Sequence, residues 1–154
     1  MTEYRITKYN PKKRNKFGHY LDKDEWTEFS EVGTNVTLKE CEAVEASYIQ
    51  SAKDFIISCG IEKLKVVALE DYQKRSRYKK NDLVPAAVLE IELQSLLRGD
   101  FWCRLESDYG FIHVGHDYYM YIGVNKVDPK IIERVSNRGL FVEEYISPLH
   151  PENC

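Results

Sequence analysis

The segment from Thr37 to Gly60 constrains the fold of this chain more than any other part of the sequence. Thr37-x-x-Glu40 forms a capping box, a pairing of side chains that satisfies free backbone amides at the start of a helix. Gly60 suits the position just after the last turn of a helix. Between them, apolar or small residues recur at spacings of three and four, and these are Cys41, Val44, Tyr48, Ala52, Phe55 and Cys59. The spacing predicts a helix of about six turns with one apolar face that a second layer must cover.

The second layer is predicted to be a β-sheet. Several shorter segments are rich in β-forming residues and either alternate in polarity or run apolar, as strands do. We predict strands over residues 4–9, 64–69, 101–106, 111–123 and 140–146. A turn at residues 107–110 would join the third and fourth of these strands as a hairpin.

Two further helices are predicted between the strands. The first begins at Asp82 with Pro85 in its first turn, the second begins at Asp128, and each ends at a glycine. A shorter helical stretch is expected after Asp24. The apolar stripe of the first of these helices is predicted to consist of Leu89, Leu93, Leu96 and Leu97.

These elements predict an α+β fold with a single antiparallel-type sheet packed by two to three helices. From residue 63 onward the predicted order is strand, helix, strand, strand, helix, strand. This is the ferredoxin-like order, and the N-terminal strand and the long helix are additions to it. A chain of 154 residues is expected to form a single globular domain over residues 1–154.

Residues 110–123, with the sequence GFIHVGHDYYMYIG, collect the side chains best suited to a functional site. In a regular strand the even-numbered residues would face the core, with His116 at its edge, and the odd-numbered ones would lie on a half-exposed face. His113 and Asp117 share that half-exposed face but lie about 13 Å apart along the strand. His113 and His116 point to opposite faces, so they predict no metal site unless Gly115 turns the chain.

The half-exposed face is predicted to dock a protein partner. Tyrosine and tryptophan supply contact area and a hydrogen-bonding group at a small entropic cost, and both are enriched at interfaces. The predicted binding residues are Trp102, His113, Asp117, Tyr119 and Tyr121. Residues 21–50 carry eight acidic and two basic side chains, and the acidic side chains up to residue 45 would face a basic partner such as a nuclease.

Two other functions remain open from the sequence. Residues 1–20 carry six basic side chains and one acidic, and residues 74–80 carry five basic ones, which suits phosphate groups. A nucleic-acid-binding protein would use Lys12, Lys13, Arg14, Arg75, Arg77 and Lys79. The net charge of −3 argues against a dedicated nucleic-acid coat. The other alternative is an enzyme centred on His113 and Asp117, although the chain has no GxSxG, HExxH, Walker or GxGxxG motif.

The cysteines indicate a reducing compartment. None of the four lies in a CxxC pair, so a zinc ribbon and a thioredoxin-type site are excluded. Cys41 and Cys59 would lie about 27 Å apart on one helix, which is too far for a disulfide. Free thiols are typical of the cytosol, and we find neither a signal peptide nor a membrane-spanning run. We therefore expect a cytoplasmic protein without cofactor, metal ion or membrane association, whose oligomeric state the sequence does not indicate.

Four blocks of the sequence carry a resemblance to a known group. They are YRITKYNP (4–11), DEWTEFSEVG (24–33), DYYMYIG (117–123) and GLFVEEYISP (139–148). They resemble blocks in a group of small, uncharacterised bacterial proteins, mostly from Gram-positive species. The group offers no catalytic motif to carry over. By size and class, the resemblance implies a cytosolic immunity protein that inhibits the toxin of a toxin system.

Overall fold

The computed structural model describes residues 1–16 and 25–153. The strands are β1 (Thr2–Thr7), β2 (Lys63–Glu70), β3 (Leu83–Pro85), β4 (Trp102–Ser107), β5 (Gly110–Val114), β6 (Met120–Val124) and β7 (Phe141–Glu144). The α-helices are α1 (Leu38–Ser58), α2 (Leu89–Arg98) and α3 (Pro129–Asn137). The helical stretch expected after Asp24 is a single 3-10 turn at Phe29–Glu31, and Asp24 itself lies outside the described residues.

The strands form one seven-stranded sheet in the order β3-β2-β4-β5-β6-β1-β7. Every neighbouring pair is antiparallel. The predicted class, an α+β fold with one antiparallel sheet and up to three helices, is confirmed. The element order from residue 63 contains two more strands than we predicted. One is β3, and the other arises because a turn divides the segment 111–123 into β5 and β6.

Helix α1 has the Thr37 half of the predicted capping box and most of the predicted buried stripe. The Thr37 side chain accepts a hydrogen bond from the Glu40 amide, and Gly60 follows the helix in the left-handed conformation, with φ at +70°. Four of the six stripe residues are buried, and these are Cys41, Tyr48, Ala52 and Phe55. Helix α1 lies against α2, α3 and the middle strands, so its stripe helps to build the core between the helices and one face of the sheet.

The predicted start of the second helix is wrong. Asp82 does not cap it; its carboxylate accepts from the Lys79 amide, and residues 83–85 instead form the edge strand β3, which pairs with β2. Pro85 is compatible with an edge strand, where a missing amide proton costs no ladder hydrogen bond. The helix begins at Leu89, and its four predicted stripe leucines are buried.

Residues 111–123 do not form one strand, so that prediction is wrong as well. The Tyr119 amide donates to the His116 carbonyl, and the Gly115 amide donates to the Tyr119 carbonyl, which closes a hairpin between β5 and β6. Asp117 and Tyr118 both have positive φ, 60° and 62°. Two consecutive left-handed residues are what a type I′ hairpin turn requires. His116 therefore lies exposed in a turn and not at the edge of the core.

The sheet is buried on both faces along its middle strands. All residues of β5 and β6 are buried, although the helices cover only the face that carries Ile112 and Met120. On the other face, which we call the second face, the segment of residues 145–150 crosses the sheet. The Tyr145 and Ser147 amides donate to the Glu3 carbonyl and carboxylate, at 3.0 and 2.8 Å. None of the helices in the described part of the chain is long and apolar enough to cross a membrane.

Candidate functional site

The strand register places one row of functional side chains across the second face. Arg104 on β4 is opposite His113 on β5, which is opposite Tyr121 on β6. Tyr121 is opposite Arg5 on β1, which is in turn opposite Glu143 on β7. Residues directly opposite each other in an antiparallel pair project to the same face. The row therefore lies on the face that the helices leave uncovered.

The predicted binding residues come together on or beside this face. Trp102 lies two positions from Arg104 along β4, so it projects to the same side as the row. Tyr119 directly precedes β6 and lines the same hollow as Tyr121. The Trp102 indole donates to the Val114 carbonyl at 3.0 Å, which holds the ring in place. Asp117 is exposed in the turn at the end of the hairpin.

Residues 145–150 bury part of the second face. The Phe111 ring stacks on His113 with 4.1 Å between ring centroids, and His150 meets the Phe111 ring edge-on at 5.0 Å. The same Phe111 ring lies directly over Gly123. A Cβ atom at Gly123 would come within 2.2 Å of the ring, so this position has no room for a side chain.

His113 is part of this packing and does not reach the surface. Its side chain is 0% exposed, so the prediction of a half-exposed position is wrong. Burial lowers the pKa of His113 to about 4, although the hydrogen bond that the ring donates to Glu106 opposes this shift. The ring is therefore neutral at pH 7. Nε2 donates to the Glu106 carboxylate at 2.9 Å, and Nδ1 accepts from the Ser147 hydroxyl at 2.8 Å.

These contacts give His113 a structural role. The order Ser147, His113, Glu106 is that of a serine, a base and an orienting acid in a catalytic triad. Ser147 is however 0% exposed, so a substrate has no access to its hydroxyl. Both ring nitrogens of His113 are engaged by Ser147 and Glu106 and not by Asp117, which lies in the exposed turn. The geometry thus fits an attachment of residues 145–150 to the sheet.

Beside this covered region an aromatic cleft of about 720 Å³ remains open. We define the aromatic cleft by its lining, which is Ala68, Glu70, Trp102, Arg104, Gly115, His116, Tyr119, Tyr121, Pro148 and Leu149. Trp102, Tyr119 and Tyr121 of the predicted binding residues line it. Tyr121 is only 7% exposed, so the prediction of a half-exposed position is wrong for it as well, and Trp102 and Tyr119 are the more accessible rings. Its volume lies within the range of about 300–1,000 Å³ that is usual for binding sites, and a mostly apolar lining with a few polar groups is typical of them.

A second hollow of about 460 Å³ adjoins the aromatic cleft. The two share Glu70, Trp102, Gly115 and His116, so together they form one groove. We call the second hollow the acidic chamber. The charged side chains in its lining are Glu28, Glu70, Arg98, Asp100 and Asp117.

Two unusual backbone segments border this groove. Ala68 has a φ of 53°, and the pairing of β2 with β4 shifts register between Val67 and Glu70, which marks a β-bulge. On the other side is the turn with positive φ at Asp117 and Tyr118. Left-handed non-glycine residues are uncommon and costly, and they cluster at functional sites. Their position at both borders of one groove supports the groove as the candidate site.

The residues of the basic tracts do not form one surface. Arg14 donates to both carboxylate oxygens of Glu143 at 2.9 and 3.0 Å, and Arg75 pairs with Asp100 at 2.9 Å. Five of the six residues are exposed, and these are Lys12, Lys13, Arg75, Arg77 and Lys79. One tract follows β1 and the other follows β2, and three strands separate β1 from β2 in the sheet. At about 4.8 Å per strand, the tracts start about 19 Å apart.

The acidic segment is only partly available to a partner. Glu45 is buried and holds Arg98 through two hydrogen bonds of 2.8 and 2.9 Å, so it cannot face a partner. Glu31 accepts from the amides of residues 27 and 28 and so stabilises its own turn. The exposed carboxylates of this segment are Glu28, Glu40 and Glu42, while residues 22 and 24 lie outside the described residues.

Over residues 1–16 and 25–153 there is no group of three or more histidine, cysteine, aspartate or glutamate side chains placed to hold a metal ion. Comparison of the chain with protein-family models, curated proteins and solved structures gave no match.

Proposed function

We propose that this chain is a cytoplasmic, non-enzymatic binding protein that docks a segment of a protein partner in the groove, which runs from the second face to the end of α2. The observation that carries the proposal is the set of Trp102, Tyr119 and Tyr121 around an open cleft that two unusual backbone segments border. Such aromatic side chains dominate the binding energy of protein interfaces when a partner covers them. Hydrogen bonds from Ser147 to His113 and Glu3 hold residues 145–150 in place. Pro148 and Leu149 of this segment form one wall of the cleft.

A protein segment suits the groove better than a small molecule. The aromatic cleft and the acidic chamber share four lining residues, and together their volumes exceed the usual upper bound of about 1,000 Å³ for a small-ligand site. The groove also opens beside the exposed carboxylate of Glu28, which suits a partner with basic side chains. An immunity-type inhibitor of a basic toxin, such as a nuclease, is the most concrete form of this proposal, in line with the resemblance noted above.

The test places a photo-crosslinking amino acid in the groove. Tyr119 is replaced by p-benzoylphenylalanine in cells that express the chain, and Tyr109 serves as the matched control. Tyr109 is also a tyrosine next to a hairpin turn, but it is 64% exposed and does not line the groove. We expect light to attach one protein at position 119 and none at position 109.

The same experiment separates the alternatives. If the attached protein arrests growth when it is expressed alone, and the wild-type chain relieves the arrest but Trp102→Ala does not, the immunity proposal is supported. Adducts to RNA or DNA at position 119, or binding to either at physiological salt that disappears when Arg77 and Lys79 are neutralised, would support the nucleic-acid alternative instead. The absence of any specific adduct at position 119 would contradict docking in the groove.

A further inference from the structure

We propose that the acidic chamber receives an arginine or lysine side chain of the docked protein segment. This inference rests on the proposed function and names the chemistry that the groove selects. The partner segment would present a basic residue to the acidic chamber and an apolar or aromatic residue to the adjoining aromatic cleft.

The charges in the lining of the acidic chamber leave an excess of negative charge. Arg98, the one arginine among the described residues of the lining, donates two hydrogen bonds to Glu45, a buried carboxylate outside the lining. Its charge is thus already compensated. Asp100 is similarly compensated by Arg75, which also lies outside the lining. The negative charge that remains belongs to three other carboxylates.

Those three carboxylates are Glu28, Glu70 and Asp117, and all of them are exposed. Within the described ranges, none of them forms an ion pair with a lysine, arginine or histidine. They leave a local surplus of negative charge in a hollow whose walls are otherwise partly apolar. A single cationic side chain would meet them with complementary charge, and a second carboxylate would be repelled.

The same chamber also has an aromatic surface on which a cation can lie. Phe29, Tyr72 and Trp102 line it, and Tyr72 is 90% exposed, so its ring is open to a ligand. The chain already places guanidinium groups on two of these rings. Arg98 lies over Phe29 at 4.3 Å and Arg104 over Trp102 at 6.0 Å. A planar cation between carboxylates and aromatic faces is the arrangement that cation–π contacts favour, and arginine makes such contacts more often than lysine.

The acidic chamber and the aromatic cleft open into each other. Trp102 and His116 line both the acidic chamber and the aromatic cleft, so one peptide segment can fill the two at once. Neighbouring side chains of an extended segment lie about 6–7 Å apart when they are on the same face. A basic residue and an apolar residue two positions apart therefore project to the same side of the segment, so one can enter each of the two adjoining hollows.

The probes are two capped tripeptides, acetyl-Arg-Gly-Leu-amide and acetyl-citrulline-Gly-Leu-amide. Citrulline has the shape of arginine without its charge. Binding is followed at low salt by NMR, through the Trp102 indole signal and the amide signals of Gly99 and Gly115, which border the chamber. We expect saturable shifts with the arginine peptide and binding at least about fivefold weaker with the citrulline peptide.

Paired variants locate the charge that matters. Glu70→Gln with Asp117→Asn should weaken the arginine peptide about five- to tenfold and leave the citrulline peptide unchanged. Asparagine tolerates the left-handed conformation of residue 117, so the turn is preserved. The control is Glu62→Gln with Glu133→Gln, which removes the same charge from two exposed positions outside the groove. It should leave both affinities unchanged.

Equal affinity for the two peptides, or an equal loss in the control variant, would overturn the inference. Its failure is distinguishable from failure of the proposed function. A protein adduct at position 119 without arginine selectivity would retain docking and reject the basic side chain. Arginine selectivity without any adduct at position 119 would show a cation site that the proposed docking does not use.

Discussion

Gly123→Ala tests the packing that closes the second face. The new Cβ atom would lie 2.2 Å from Cε1 and 2.7 Å from Cζ of Phe111, whereas carbon atoms in contact are about 3.5–4.0 Å apart. The ring would have to move by more than about 1 Å. It is stacked on His113 and touched by His150, so its movement disturbs the attachment of residues 145–150.

The expected loss in unfolding free energy follows from two opposing effects. Overpacking of a buried site costs about 1–3 kcal/mol. Replacing glycine by alanine lowers the entropy of the unfolded chain, which stabilises by about 0.4–1 kcal/mol. We therefore expect a net loss of about 1–2 kcal/mol in urea unfolding at pH 7.5.

A control and a rescue make this prediction specific. Gly115→Ala, whose new Cβ would have its nearest neighbours at 3.5 Å, should not destabilise and should gain at most about 1 kcal/mol from the lower entropy of the unfolded chain. Phe111→Leu leaves space for the new Cβ atom at residue 123. The losses of unfolding free energy in the two single variants should therefore sum to more than the loss in the double variant. A Gly123→Ala protein as stable as the wild type, or strictly additive costs, would show that Phe111 does not cover Gly123.

Three further predictions address the core, the buried histidine and the thiols. Phe55→Ala should cost about 3–5 kcal/mol, because Phe55 is fully buried on α1, and a loss under about 1 kcal/mol would contradict its place there. Burial holds the pKa of His113 at about 4 in the folded chain, whereas the ordinary pKa of a histidine is about 6.5. Between pH 6.5 and pH 4 the unfolded chain therefore binds a proton at this histidine that the folded chain does not bind. Stability that is present above pH 6.5 should therefore fall by about 3 kcal/mol as the pH is lowered to 4, and His113→Gln should reduce this slope; an unchanged slope would refute the assignment. In the native protein a thiol reagent should modify Cys59 before Cys41 and Cys103. Burial raises the pKa of the Cys41 thiol, and it raises the pKa of Cys103 to about 12, so both form the reactive thiolate less readily. Equal rates of modification at the three cysteines would contradict this.

The elements that the sequence predicts well are those with local signals. Helix α1 carries its cap, its apolar period and its terminal glycine within one segment, so its prediction is confirmed nearly to the residue. The start of α2 is missed because Asp82 and Pro85 suit a helix start in isolation. Only the partner strand β2 shows that Leu83–Pro85 is a strand, and β2 lies elsewhere in the sequence.

The hairpin between β5 and β6 is missed for a different reason. Val114 and Met120 are direct partners across the hairpin, and both have even numbers. The alternation of apolar residues therefore continues through the turn without a break. Two strands joined by this turn have the same sequence pattern as one long strand. The turn also lacks an Asn-Gly or Asp-Gly pair, since Asp117 and Tyr118 occupy the left-handed positions.

The candidate site is predicted in part. The register of regular strands suffices to place Trp102, Tyr119 and Tyr121 on one face. Glu70 and His116 are missed because a bulge places the first and a turn places the second. Gly115 indicates that a turn is possible, but the unbroken alternation of apolar residues favours a single strand. The burial of His113 is missed because it depends on Ser147, which lies 34 positions further along the chain.

The position of β1 determines when this molecule can finish folding. β1 lies between β6 and β7, so Ile6 pairs with Met120 and Val142. During synthesis β1 leaves the ribosome early and has no strand to pair with until most of the other elements have been made. Pairing over such separations carries a large loop-closure entropy, which slows folding and leaves apolar strand surface open to aggregation. Because the groove needs Tyr119 and Leu149 as well as β2 and β4, it is not complete until residue 149 has been synthesised.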